Sequence, residues 1–176
     1  MPTVQIPRPV GTEYAPFHAS YVQGVPDGDI LAFLERQGRE TAALLRGISE
    51  KQSRHRYAPG KWSIREVVGH MNDAERVFTY RALSFARGDA NPLPGFDETA
   101  WGASSNADSR PLADLVQDFA AVRAATLTLF RGFSETEIGR SGTASGHRVT
   151  VAAIAYVVAG HEKHHVTILK ERYLSS

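Results

Sequence analysis

Residues Gly160-His161-Glu162-Lys163-His164-His165 lie inside an apolar run that begins near Val151 and ends near Leu174. On an α-helix, positions four apart share a face, so His161 and His165 aim two imidazoles at one point with Cβ atoms roughly 6 Å apart, a spacing that suits one metal ion. Ile154, Val158, His161, His165, Ile168 and Arg172 fall on one helical stripe, and its mostly apolar content predicts that it points inward. Two ordinary buried histidines would satisfy the same pattern. A third ligand from another helix is what separates a metal site from simple packing.

That third candidate is His70. Ser63-Ile64-Arg65-Glu66 has the form of a capping box, in which Ser63 and Glu66 bond each other's free backbone N–H groups and start a helix. The helix carries Val67, His70, Ala74, Val77 and Phe78 on its inward stripe. Asp73 lies three residues beyond His70 on nearly the same face, where it orients a ligand, accepts a proton from bound water, or is an exposed helix charge.

The other helices follow from the same periodicity. Asp27-Gly28-Asp29 offers an N-cap, and Ile30, Leu34, Gln37, Thr41, Leu44, Leu45 and Ile48 predict a helix over 29–49. Gln37 and Thr41 are polar positions on that stripe, either satisfied in the core or facing a pocket. Pro111 fits a first helical turn, and Leu112, Leu115, Phe119, Val122, Thr126, Leu129 and Phe133 supply the next stripe. Ser134 to Glu137 caps one short turn, Gly139 to Arg148 reads as a Gly- and Ser-rich connector, and Thr150 is the N-cap of the last helix. Four amphipathic helices with no convincing strand alternation predict an all-α four-helix bundle, a fold that places metal sites between facing helices.

Between the second and third helices, Gly88 to Arg110 reads as a long loop, too long for a compact domain unless it binds or covers something. It is expected to form a lid or pocket wall, with Phe96 and Trp101 as apolar groups and Asp97 or Glu98 as charges entering the pocket. Trp101 merely covering the end of the bundle is the competing expectation.

Composition narrows the function classes. A chain of 176 residues fits one domain, with residues 1–27 as an N-terminal arm packing back through Tyr14, Phe17 and Tyr21 and residues 28–176 as the bundle. Twenty basic against nineteen acidic residues, with no block of like charge, disfavours nucleic acid and membrane surfaces as partners. The absence of cysteine leaves His, Asp and Glu as metal ligands. No apolar targeting segment and no membrane span are apparent, so a soluble, cytoplasmic protein is expected.

Three stretches carry a family resemblance: Tyr57-Ala58-Pro59-Gly60-Lys61-Trp62-Ser63-Ile64-Arg65-Glu66-Val67-Val68-Gly69-His70, then Gly95-Phe96-Asp97-Glu98, then Gly160 to His165. Together they resemble the signatures of the DinB-like superfamily, in particular its metal-dependent hydrolase branch, over nearly the whole chain from about Tyr14. The resemblance implies a four-helix bundle with a divalent metal held by three histidines, which fall on His70, His161 and His165, and no ligand role for His164. It also implies thiol-dependent relatives, among them bacillithiol transferases and mycothiol-dependent maleylpyruvate isomerase, and hence a low-molecular-weight thiol as a candidate co-substrate.

Three protein ligands leave a coordination position open, the arrangement of catalytic sites. Imidazoles suit several metals; Zn or Ni is the leading expectation, with Fe or Mn as further candidates. The expected function is therefore a metal-dependent enzyme, a hydrolase or thiol S-transferase acting on a small molecule. A non-catalytic metal or small-molecule binding module, and a structural or homodimerising bundle, are the alternatives.

Overall fold

The computed structural model describes residues 4–175, so the first three residues of the expected arm and the terminal Ser176 lie outside the described residues. Four long helices form the body: α2 (Ile30–Arg46), α3 (Ile64–Ala86), α5 (Leu112–Arg131) and α7 (Val151–Ile168). Shorter helices α1 (Ala19–Gly24), α4 (Glu98–Ser104) and α6 (Glu135–Ile138) decorate it. No described helix is long and apolar enough to cross a membrane.

Local chemistry sets the helix starts. Asp29 accepts from the backbone N–H groups of Leu31 and Ala32, Ser63 and Glu66 close the capping box of α3, and Thr150 accepts from Ala153 at the start of α7. The helix over 29–49 proves shorter, ending at Arg46 with Gly47 as its cap.

In the bundle, α2 packs against α5 and α7, and α3 packs against the same two helices. Consecutive α2 and α3 therefore lie across the diagonal, and α3 is brought beside α7. Helix α7 differs from its sequence reading: every residue from Val151 to Glu162 is buried, so only its last third is amphipathic. Arg172, expected on the inward stripe, is exposed. The chain widens into a π-helical turn at Leu169–Tyr173, which turns Leu169 and Tyr173 inward and Arg172 out.

The connector expected between Gly139 and Arg148 is instead a β-hairpin, β1 (Ser141–Ala144) paired antiparallel with β2 (His147–Thr150). Ser145 and Gly146 form its two-residue turn with φ of 51 and 79. Strands of four residues, Ser-Gly-Thr-Ala and His-Arg-Val-Thr, are too short to show alternation, and Gly142 is needed where Phe85 packs: a Cβ there would lie 2.1 Å from the ring. The long 88–110 segment is also more ordered than its sequence suggests. It pairs with the hairpin through Leu93 and then forms α4 and a 3₁₀ turn at Ala107–Ser109.

Near the N-terminus, Ile6, Val22 and Val25 are buried in the main core cluster, with Tyr14 and Tyr21 packed against it, whereas Phe17 is exposed. Helix α1 crosses α7 at Gly160, where a Cβ would lie 2.3 Å from the Tyr21 carbonyl oxygen. Only glycine permits that approach, and it seats Tyr21 beside His161.

Two apolar clusters occupy the two ends of the bundle, one including Leu34, Phe78, Phe130 and Ala159 and the other Leu45, Met71, Phe119 and Leu169. Between them lies a polar layer. Its centre is Arg123 on α5, which donates to Glu75 on α3 through Nε (2.9 Å) and Nη2 (2.8 Å) and to Leu34 O on α2 (3.0 Å). Its Nη2 also lies 2.6 Å from Glu162 Oε2 on α7. Burial opposes the Arg123 charge, but the two carboxylates outweigh it and raise its pKa. Glu162 is pushed up by burial, with Arg123 opposing.

Gln37 and Thr41 belong to this layer, and Gln37 Nε2 donates to Ala159 O (2.9 Å). Because removal of one partner strands buried charge, Arg123→Met should destabilise the fold by about 3–5 kcal/mol. Chemical denaturation measures this, and a loss below about 1 kcal/mol, the range of an exposed pair, would show that the layer does not hold the helices together.

Candidate metal centre

His70 from α3 and His161 and His165 from α7 meet just beside the Arg123 layer. Nε2 of His161 lies 3.0 Å from Nε2 of His70 and 3.1 Å from Nε2 of His165, and all three nitrogens fall within 4.8 Å of one another. A neutral imidazole nitrogen has one lone pair or one hydrogen, so His161 Nε2 can hydrogen-bond well with only one of its two neighbours. Around a tetrahedral ion with N–metal distances near 2.1 Å, ligand nitrogens sit roughly 3.4 Å apart, close to the spacing found. The donor set thus fits one divalent ion better than it fits itself.

The environment favours the ligating form. His70 is lowered to about 4 and His165 to about 3, each chiefly by desolvation, and His161 lies well below its ordinary value for the same reason, reinforced by His165 and His70. All three rings are therefore neutral around pH 7.

His164, next in sequence to His165, stays outside the group: it is exposed, and its ring leans on Tyr21 at 5.5 Å. Asp73 is half-buried, with its carboxylate 3.4 Å from Arg76. Its charge opposes the depression of the His70 pKa, and no hydrogen bond joins it to the three histidines among the described residues. Glu162, adjacent to His161, faces Arg123.

The loop brings other groups to the site. Asp97 accepts from the N–H groups of Thr99 (2.9 Å) and Ala100 (3.0 Å), so its carboxylate caps α4. That cap places the neighbouring Glu98 with Oε2 3.9 Å from His70 Nε2, on a side chain 65% exposed. Phe96 and Trp101 lie against each other with ring centroids 4.8 Å apart and planes tilted by 38°, and Trp101 remains 45% exposed. Trp62 lies against His70 (4.9 Å between rings) and packs so closely on Gly102 of α4 that a Cβ would lie 2.9 Å from its ring.

Two wall residues escaped the sequence reading. Tyr21, expected only as a packing contact, has its ring 5.7 Å from His161, and its phenol pKa is raised by burial and by the charge of Glu98. Phe78 meets His161 edge-on at 5.5 Å. The conspicuous local signal for Tyr21 was Gly160, whose missing side chain admits it.

Comparison with known proteins follows the same outline. A sequence model of the DinB superfamily matches residues 34–169. Relatives provisionally named metal-dependent hydrolases include one from Oceanobacillus iheyensis, 23% identical over 139 residues and covering 78% of this chain and 79% of its own. One from Geobacillus thermodenitrificans is 23% identical over 161 residues, covering 89% and 88%. Among solved structures, YfiT from Bacillus subtilis, provisionally described as a metal-dependent hydrolase with an unusual four-helix bundle topology, is similar with a TM-score of 0.71 at 17% identity over 93% of each chain. The mycothiol-dependent maleylpyruvate isomerase is similar at TM-score 0.65 and 14% identity, over 84% of this chain and 62% of that one. A match that runs through all four bundle helices and most of the sequence makes this protein a member of the DinB superfamily.

Proposed function

We propose that the protein is a metal-dependent hydrolase of a small molecule, with His70, His161 and His165 as the protein ligands of one divalent ion, Zn or Ni in the first instance. The observation that carries this reading is the convergence of three neutral imidazole nitrogens from two helices beneath a carboxylate. A divalent ion with three protein ligands keeps a position open and supplies Lewis-acid activation to what enters it.

The chain's own groups supply the rest. Glu98 is the acidic residue best placed to take a proton from an attacking water and return it to the leaving group. Tyr21 keeps its phenolic proton and is a hydrogen-bond donor beside His161. Trp62 and Phe78 pack on the histidine rings and limit water around the reacting atoms, and Phe96 and Trp101, in contact with each other on the segment that carries Glu98, are the proposed outer wall. Asp73 contributes negative charge near His70, favouring a bound cation. The same base serves a thiol as well as a water, so S-transfer with a low-molecular-weight thiol is the second arm of any substrate screen; a protein that binds metal but turns over neither class is a binding module.

Purified protein should retain about one divalent ion per chain, and His70→Ala, His161→Ala and His165→Ala should each lose most of it while His164→Ala keeps it. Elemental analysis with circular dichroism decides: loss in His164→Ala with retention in His161→Ala refutes the ligand set. Burial also sets the pH window. Protons compete for imidazoles only near their own pKa, here about 4 and about 3 for His70 and His165 against an ordinary 6.5. Metal should therefore remain bound at pH 5.5, and half-release above pH 6 would contradict the desolvation argument. Finally, Glu98→Gln should lower kcat by about 10²–10⁴-fold with metal content unchanged; wild-type turnover in that variant would remove Glu98 as the base.

A further inference from the structure

Tyr21 reaches the three-histidine centre from α1, a helix of six residues with no side-chain cap at its start. A helix that short has little stability of its own, so what fixes Tyr21 lies outside α1. Packing supplies part of it. Gly160 admits the Tyr21 backbone, and Val22 and Val25 are buried in the same core cluster as Ile6. Apolar contacts of this kind seat the helix but constrain its rotation and slide only weakly, because burial is not directional.

Directional bonds come from Arg8. Its Nη1 donates to Val22 O (3.0 Å) and its Nη2 to Val25 O (2.6 Å), so one planar guanidinium spans the carbonyl end of α1. Its Nε lies 3.0 Å from the Asp27 carboxylate, and its Cζ lies 5.1 Å from the ring of Tyr156 on α7. Ile6, 7% exposed, anchors the same segment in the core. Lys163 of α7 takes a carbonyl between the other two, donating to Gly24 O (2.6 Å). Immediately before Val22, Tyr21 sets its ring 5.7 Å from that of His161 and 5.5 Å from that of His164.

We propose that Arg8 is a positioning residue of the metal centre: its two bonds to the end of α1 hold the Tyr21 phenol beside His161. The inference rests on the reading of that centre as a small-molecule site walled by Tyr21. It adds that a segment contributing no bond to the histidines sets the position of their wall. Because the Arg8 side chain is 34% exposed, its bonds add little to global stability, and losing them releases α1 locally without unfolding the bundle.

The test compares full-length wild type, Arg8→Met, Arg8→Lys and Tyr21→Phe. In metal-free protein, the nuclear Overhauser contact between the Tyr21 and His161 rings should fall by at least half in Arg8→Met. The contact between Phe130 and Phe133, whose rings lie 5.6 Å apart in the core, should keep its intensity, and the melting temperature should stay within about 4 °C of wild type. Arg8→Lys keeps the charge but reaches only one carbonyl at a time, so it should give an intermediate intensity. Zinc-loaded protein is then titrated with acetohydroxamate, a chelating probe of the open metal position. Arg8→Met and Tyr21→Phe should each weaken its binding at least threefold, and the double variant no more than Tyr21→Phe alone. An undiminished Tyr21–His161 contact in Arg8→Met, loss of the Phe130–Phe133 contact along with it, or additive losses in the double variant each overturns the proposal. A wild type that binds no zinc would instead overturn the metal reading, and the contact measured without metal would still decide the role of Arg8.

Discussion

One guanidinium organises this bundle. Arg123 reaches from α5 to Glu75 on α3, Glu162 on α7 and the Leu34 carbonyl on α2, so a single side chain touches all four long helices. Apolar clusters on either side would tolerate some sliding of helix on helix, because dispersion and area burial are not directional. Charged hydrogen bonds at 2.8 and 2.9 Å are directional, and stranding one of these buried groups is expensive. The layer thereby sets the rotation and register of α3 and α7, which carry the three histidines.

Glu162 and His161 make the coupling direct. Adjacent on a helix, they point about 100° apart, one into the Arg123 layer and the other toward His70. Glu75 and His70 stand in a similar relation on α3, five residues apart. The ion layer and the imidazole cluster are two faces of the same helix pair, and rotating either helix to improve one would spoil the other.

Order in the 88–110 segment has its own local cause. Asp97 caps α4, and Glu98 follows as the first residue of that helix, so the cap that fixes the helix start also holds a carboxylate near the centre. Trp62 joins this segment to the bundle, lying between Gly102 of α4 and His70 of α3. At the far end the hairpin turn closes on Arg81. The three histidines thus have an acidic neighbour in Glu98, while Arg81 is held by Pro94 and Ser145 in a separate cleft beyond Phe78.

Much of this was legible locally. The 3.6-residue period places His161 and His165 on one face, the Ser63–Glu66 box starts α3, and Asp29 and Thr150 cap their helices, because each depends on residues within a turn or two. Family signatures around Trp62 and Gly160 pointed to the bundle. The expected trio of His70, His161 and His165 already joined α3 to α7, but nothing local specifies that consecutive α2 and α3 lie diagonally or which contacts seat α3 beside α7. The pairing of Arg123, the all-round burial of Val151 to Glu162, the short hairpin and the approach of Tyr21 and Glu98 to the histidines were decided by tertiary packing. Buried charge finds its partner, and glycine its close neighbour, only when distant segments are brought together.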